Sequence, residues 1–273
     1  MPLIPITNTD DSRVAPYRQL HQTNLTRGSK LFVAEGDKVV QRLLDSSFVT
    51  DSVLAEADWA ERLAPQLPPE TPIYVAPREL MTELVGFRFH RGVLACGQRK
   101  PAPDLRAMMP PLDQPATILV CPAVQDPTNL GSIVRTAAAL GVAAILLGSD
   151  CADPFSRRVL RVSMGSVLFI PVREAVDLVA DVVALREEHG FEVLATVLDN
   201  RAVPLSQVPK PKRLALVLGS EGHGLDERWL KLCPQQITLP MQAGIDSLNV
   251  AVAAAVFLYH FQQAALTDSV DTN

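Results

Sequence analysis

Cysteine is scarce in this chain. Its four residues, Cys96, Cys121, Cys151 and Cys233, are scattered, with no CxxC pair and no Cys/His cluster at metal-ligand spacing. That pattern excludes a disulfide framework and a zinc site, gives no reason to expect a metal, and suits a reducing cytoplasm. Long apolar runs are also lacking. The longest, Val250 to Leu258, is too short to cross a bilayer, and MPLIPITNTDD has neither the basic start nor the apolar stretch of a leader, so neither secretion nor membrane insertion is expected. There is no overall basic excess, since the formal charge is -5. The acidic surplus nevertheless lies wholly behind residue 112: residues 1–112 carry 13 Lys/Arg against 13 Asp/Glu, and residues 113–273 carry 12 against 17. Within the neutral front part, Arg13, Arg18, Arg27 and Lys30, then Arg88, Arg91, Arg99 and Lys100, form local basic clusters able to neutralise phosphates, although solvated surface charge explains them as well.

A length of 273 residues with 48% hydrophobic content suits two domains with sizeable cores. The stretch KPAPDLRAMMPPLDQPA holds five of the 22 prolines and little apolar periodicity. It marks a linker at 101–115 between a front domain, 1–100, and a rear domain, 116–273. In front, LFVAEG followed by DKVVQRLLDSS predicts a strand running into an amphipathic helix, and SVLAE, PIYVA and GVLAC predict further short strands. Behind, apolar runs at 118–120, 144–147, 167–170, 193–197, 214–218 and 237–239 alternate with helical segments, which predicts an α/β domain with a parallel sheet. The polar end LTDSVDTN is expected to fray.

Three rear segments carry more than connection. In DPTNLGSIVRTAAALG (126–141), Asp126 to Asn129 are turn and N-cap residues and Gly141 ends the helix. Arg135 is expected within the first two turns, near the strand edge where open parallel sheets bind ligands. A lone Arg there is more often a surface ion pair. In LALVLGSEGHGL (214–225), three glycines in six positions expose backbone groups, and Glu221 is more than a turn needs. His223 has no ligand-spaced partner and reads as a loop residue. In ITLPMQAGIDSLNVAVAAAVFLYHF (237–261), a strand and a loop with Gly244 lead to Ser247, the expected N-cap, and to a helix apolar nearly all round, as if buried against another subunit. No glycine follows the strand at 118–120, so a Rossmann-type cofactor turn is excluded, and GSEGHG lacks the Lys and Ser/Thr of a phosphate loop.

Together the three segments resemble, in order and spacing, motifs one, two and three of the SpoU/TrmH family of RNA 2′-O-ribose methyltransferases in the SPOUT superfamily, and RVSMGSVLFIPV resembles the family's intervening segment. In front, RGSKLFVAEGDKVVQRLL and FHRGVLACG are similar to the small L30e-like RNA-binding domain of many rRNA-directed members. The resemblance implies a SPOUT fold with a C-terminal trefoil knot, a homodimer, and S-adenosylmethionine as methyl donor. It implies donor-binding positions at Thr196, Leu218, Gly219, Ser220, Glu221, Gly222, Leu239, Met241, Ser247 and Leu248, and a catalytic set of Asn129, Arg135, Glu221, Ser247 and Asn249, with Arg135 coming from the opposite subunit. Ala251 departs from the serine many members carry there. The implied substrate is RNA, rRNA in preference to tRNA. The alternatives are a tRNA 2′-O-methyltransferase and a non-catalytic RNA-binding protein that keeps the fold.

Overall fold

The computed structural model describes residues 3–20, 30–242 and 247–270. Arg27 and Gly244, singled out above, lie outside them, as do residues 271–273 of the polar end. The chain divides into two compact units: an N-terminal one up to Pro101 together with Asp153–Phe169, and a C-terminal one of Ala102–Ala152 and Ile170 onward.

The N-terminal unit runs β1 (Leu3–Pro5), β2 (Leu31–Glu35), α1 (Asp37–Asp45), β3 (Thr50–Ala55), α2 (Ala57–Leu63), β4 (Ile73–Val75), α3 (Arg78–Val85) and β5 (Val93–Gln98). Its five-stranded sheet has the order β1-β4-β3-β5-β2. The pairs β1 with β4 and β3 with β4 are parallel, while β5 is antiparallel to both β3 and β2. The four strands expected here are all present; β1, three residues ending in proline, gave no periodic signal. Gly97 leaves room for an aromatic ring, because a Cβ there would lie 2.4 Å from Phe32 Cζ.

The C-terminal unit contains β6 (Ala116–Cys121), α4 (Pro127–Ala139) and β7 (Ala144–Leu147). After β7 the chain contributes α5 (Arg157–Val162) to the N-terminal unit. It then continues with β8 (Val172–Glu174), α6 (Leu178–Glu187), β9 (Glu192–Thr196), β10 (Val203–Pro204), β11 (Arg213–Val217), α7 (Glu227–Leu232), β12 (Gln235–Thr238) and α8 (Val250–Val270). The sheet has seven strands in the order β10-β12-β9-β11-β6-β7-β8, and every pairing is parallel. Ile118, Val120, Ala144, Leu146, Val193, Ala195, Ala215 and Val217 from its central strands fill one continuous core with Val182, Leu185 and Trp229 from the helices. Leu119, Ile145, Leu194 and Leu216 on the opposite face are buried too, and burial on both faces is why these strands read as unbroken apolar runs.

Two expectations need correction. Residues 153–169, assigned from sequence to the rear domain, group with the N-terminal unit. Phe155 stacks on Phe32 with centroids 5.3 Å apart, Arg157 pairs with Glu35 at 2.8 Å, and Arg42 donates to the Met164 carbonyl. The strand expected at 167–170 is instead a 3-10 turn at Ser166–Leu168, with β8 beginning at Val172. Val167, Leu168 and Ile170 are buried there as packing groups rather than as strand residues. Helix α8 runs into the polar end as far as Val270.

The proline-rich stretch 102–115 is a fixed strap of the C-terminal unit. Arg213 donates to the carbonyls of Pro110 (3.2 Å), Pro111 (2.7 Å) and Gln114 (3.0 Å), and Leu105 is buried in the core.

Candidate functional site

Parallel strands place all their C-terminal ends at one sheet edge, where the following loops meet. The adjacent strands β12, β9, β11 and β6 therefore deliver the three motif segments to one place. Thr196 ends β9, Leu218 and Gly219 follow β11, and Leu239 and Met241 follow β12. Leu218 is buried and its N–H donates to Val120 O at 2.9 Å, while Leu239 and Met241 are half-buried and Ser247 and Leu248 exposed. The Thr196 hydroxyl donates to Val217 O at 3.1 Å.

The loop after β11 closes on itself. Ser220 N–H donates to Gly224 O at 2.9 Å, Gly224 N–H returns to Ser220 O at 3.2 Å, and Ser220 Oγ also donates to Gly224 O at 3.1 Å. Gly219 is needed for this closure: a Cβ on it would lie 2.8 Å from Gly224 Cα, too close for any side chain. A Cβ on Gly222 would meet nothing within 4 Å. The glycine at 219 thus serves the turn itself, and the exposed Glu221 and Gly222 are what the turn presents. His223 is exposed at the tip and gives its N–H to Ser220 Oγ at 3.4 Å.

Glu221 reaches back to the start of α4. Its Oε1 accepts from Asn129 Nδ2 at 3.0 Å and from Asp126 N–H at 3.3 Å, and its Oε2 lies 3.4 Å from the Gln125 N–H. A carboxylate at a helix N-terminus is favoured both by the unpaired amides and by the helix dipole. Asn129 Oδ1 in turn accepts from Asn249 Nδ2 at 2.9 Å. Asn249 closes the chain by capping α8, its Oδ1 accepting from Ala251 N–H at 2.9 Å and from Val252 N–H at 3.4 Å. The cap of α8 is therefore Asn249 rather than Ser247, since the capping residue is the one directly before the first helical position, Val250. Asp126 caps α4 as expected, accepting from Thr128 N–H at 2.6 Å.

Of the residues singled out from sequence, Glu221, Asn129 and Asn249 are joined by hydrogen bonds, one from each segment. Arg135 and Ser247 stand outside this network. Arg135 is the ninth residue of α4, in its third turn rather than its first two, and is exposed. Sequence reasoning missed the main-chain amides of Gln125 and Asp126, because an N–H carries no residue-type signal. Two thiols near this edge are set aside: burial pushes Cys151 up to about 11 and Cys121 well above the usual thiol range, and Cys151 Sγ donates to Cys121 O at 3.0 Å. Both stay protonated and unreactive at neutral pH.

The fold and this edge define an α/β protein with an all-parallel sheet in its C-terminal unit, whose strand-end loops are tied across three separate sequence segments. The model of the SpoU rRNA Methylase family matches residues 116–259, and the chain belongs to that family. Over 269 residues it is 38% identical to an uncharacterized tRNA/rRNA methyltransferase of Mycobacterium bovis, covering 93% of this chain and 90% of that one. It is 31% identical to the 23S rRNA (guanosine(2553)-2′-O)-methyltransferase of Bacillus subtilis, covering 94% and 98% of the two chains. The structure of an AdoMet-bound rRNA methyltransferase from Sinorhizobium meliloti superposes with a TM-score of 0.83 at 26% identity, over 96% of this chain and 98% of that one.

Proposed function

We propose that this chain is an S-adenosylmethionine-dependent methyltransferase acting on a ribose 2′-hydroxyl of RNA, most specifically rRNA. The observation that carries the reading is the hydrogen-bonded line Glu221–Asn129–Asn249, which ties the three motif segments together at the ligand-binding edge of the sheet.

The residues at this edge suit the donor. Half-buried Leu239 and Met241 with exposed Leu248 offer an apolar seat for a planar base, main chain at Leu218, Gly219, Ser220 and Gly222 offers N–H and C=O groups, and Thr196 and Ser247 offer hydroxyls. The Glu221 carboxylate supplies a negative charge suited to a sulfonium. When bound, S-adenosylmethionine supplies an electrophilic methyl group. The protein's task is then to hold the 2′-oxygen in line and to stabilise negative charge on it as its proton leaves. Arg135 suits that task as a fixed cation. Its guanidinium, with a solution pKa above about 12, does not serve as a base, so a substrate phosphate held beside it is the natural proton acceptor. Choosing a 2′-hydroxyl makes the substrate RNA, since DNA has none.

In this scheme Arg135 serves a 2′-hydroxyl that faces the donor held by a second copy rather than by its own chain. Two features support a homodimer. Arg135 is exposed and has no hydrogen-bond or ion-pair partner among the described residues, and α8, which packs on α4, shows an exposed apolar stripe of Val252, Val256 and Tyr259, with exposed Leu248 just before the helix. A trefoil knot in the C-terminal unit, an RNA-recognising L30e-like N-terminal unit and a cytoplasmic setting complete the reading. The setting is supported by the four cysteines, all buried and free.

The test is methyl transfer from labelled S-adenosylmethionine to unmodified 23S rRNA and to unmodified tRNA, with mapping of 2′-O-methyl positions. Transfer to a ribose of 23S rRNA is expected. Transfer to tRNA alone would move the substrate, and a methyl on a base, or none on RNA, would overturn the reaction.

A further inference from the structure

Glu35 ends β2 and is buried, with its side chain 5% exposed. Three guanidiniums surround it: Arg157 Nη1 at 2.8 Å and Arg161 Nη1 at 3.6 Å from Oε2, and Arg91 Nε at 3.8 Å from Oε1. Two come from α5, which packs along β2, and one from the loop before β5, so segments some sixty residues apart in sequence converge within the N-terminal unit. Each is held. The Arg91 stem lies over Gly36, where a Cβ would be 2.6 Å from Arg91 Cδ, and Arg157 sits 4.3 Å above the Phe87 ring.

One carboxylate neutralises one of the three cations. Two positive charges remain, crowded together on heads that still meet solvent, with side-chain exposures of 47% for Arg91 and 36% for Arg161. Arg88 and His90, both exposed, flank Arg91 on the same loop. A structural pin between α5 and β2 would need only the Arg157 pair. The two further arginines add repulsion that an incoming anion relieves, and planar forked donors match a phosphodiester.

We infer that Arg91 and Arg161, ordered by Glu35 and Arg157, form a phosphate-holding site for the backbone of the substrate RNA. The inference rests on the RNA-methyltransferase reading and deepens it: α5, inside the stretch matched by the methyltransferase family model, serves substrate holding in the N-terminal unit rather than donor chemistry.

The experiment uses the full-length protein, an unmodified 23S rRNA transcript and an unrelated RNA of equal length, with binding measured across a range of KCl. Arg91→Gln and Arg161→Gln are made singly and together, leaving the Arg157–Glu35 pair in place. The double variant should bind both RNAs about tenfold or more weaker, with the slope of log affinity against log salt shallower by roughly 1 to 2. Its melting temperature and its S-adenosylmethionine affinity should match wild type, and Arg91→Lys with Arg161→Lys should restore most of the salt slope. Wild-type affinity and slope in the double variant would overturn this proposal alone, as would a loss that follows a fall in melting temperature. Failure of wild type to bind or methylate RNA would overturn the functional reading, and this site with it.

Discussion

Asn129 uses both ends of one amide: its Nδ2 gives to Glu221 and its Oδ1 receives from Asn249. A carboxylate, which only accepts, or an ammonium, which only donates, could not fill both roles at this position. Asn129→Asp places a carboxylate against Glu221 and removes that donor, so the line breaks at its centre through like-charge repulsion. The expected outcome is a fall in methyl transfer of about a hundredfold, with folding stability within about 1 kcal/mol of wild type because the site is exposed; stopped-time transfer assays and urea unfolding check the two parts. Unchanged transfer would show that the line has no part in the reaction. The polar residues of the site were readable in sequence from their places in the three segments. What joins them was not, since contacts such as Asn249 to Asn129 span 120 positions and depend on which strands become neighbours.

At the scale of elements, the start of α8 separates two residues that looked equivalent in sequence. Ser247 and Asn249 are both good capping types, and only the position of the first helical turn decides between them. Asn249 holds the first-turn amides of Ala251 and Val252. Asn249→Ala is expected to cost about 1 kcal/mol in urea unfolding, and Ser247→Ala within about 0.5 kcal/mol of nothing; the reverse order would restore the cap to Ser247. The strands of the parallel sheet were legible because burial on both faces leaves apolar runs. The run 167–170 failed as a strand because the same composition serves a buried turn, with Phe169 left 54% exposed among buried neighbours. The edge strand β10, two residues including Pro204, was too short to leave a pattern.

At the scale of the whole molecule, the division into two units follows contacts rather than sequence order. Residues 153–169 lie within the stretch the family model matches, yet their aromatic stack and ion pairs belong to the N-terminal unit. No window of sequence contains both halves of those contacts, so the boundary drawn at the prolines could capture the strap at 102–115 but not this return of the chain. We propose a division of labour in which the strand-end loops hold the methyl donor and Arg135, exposed on α4, serves the RNA hydroxyl. The measurement that bears on it most directly is Arg135→Ala, assayed in parallel for S-adenosylmethionine affinity by calorimetry and for single-turnover methyl transfer to 23S rRNA. Donor affinity within about twofold of wild type is expected, with transfer slowed by about a hundredfold to a thousandfold, the size of effect seen when one preorganised stabilising donor is removed. Lost donor binding with full turnover at saturating donor would contradict this division of labour.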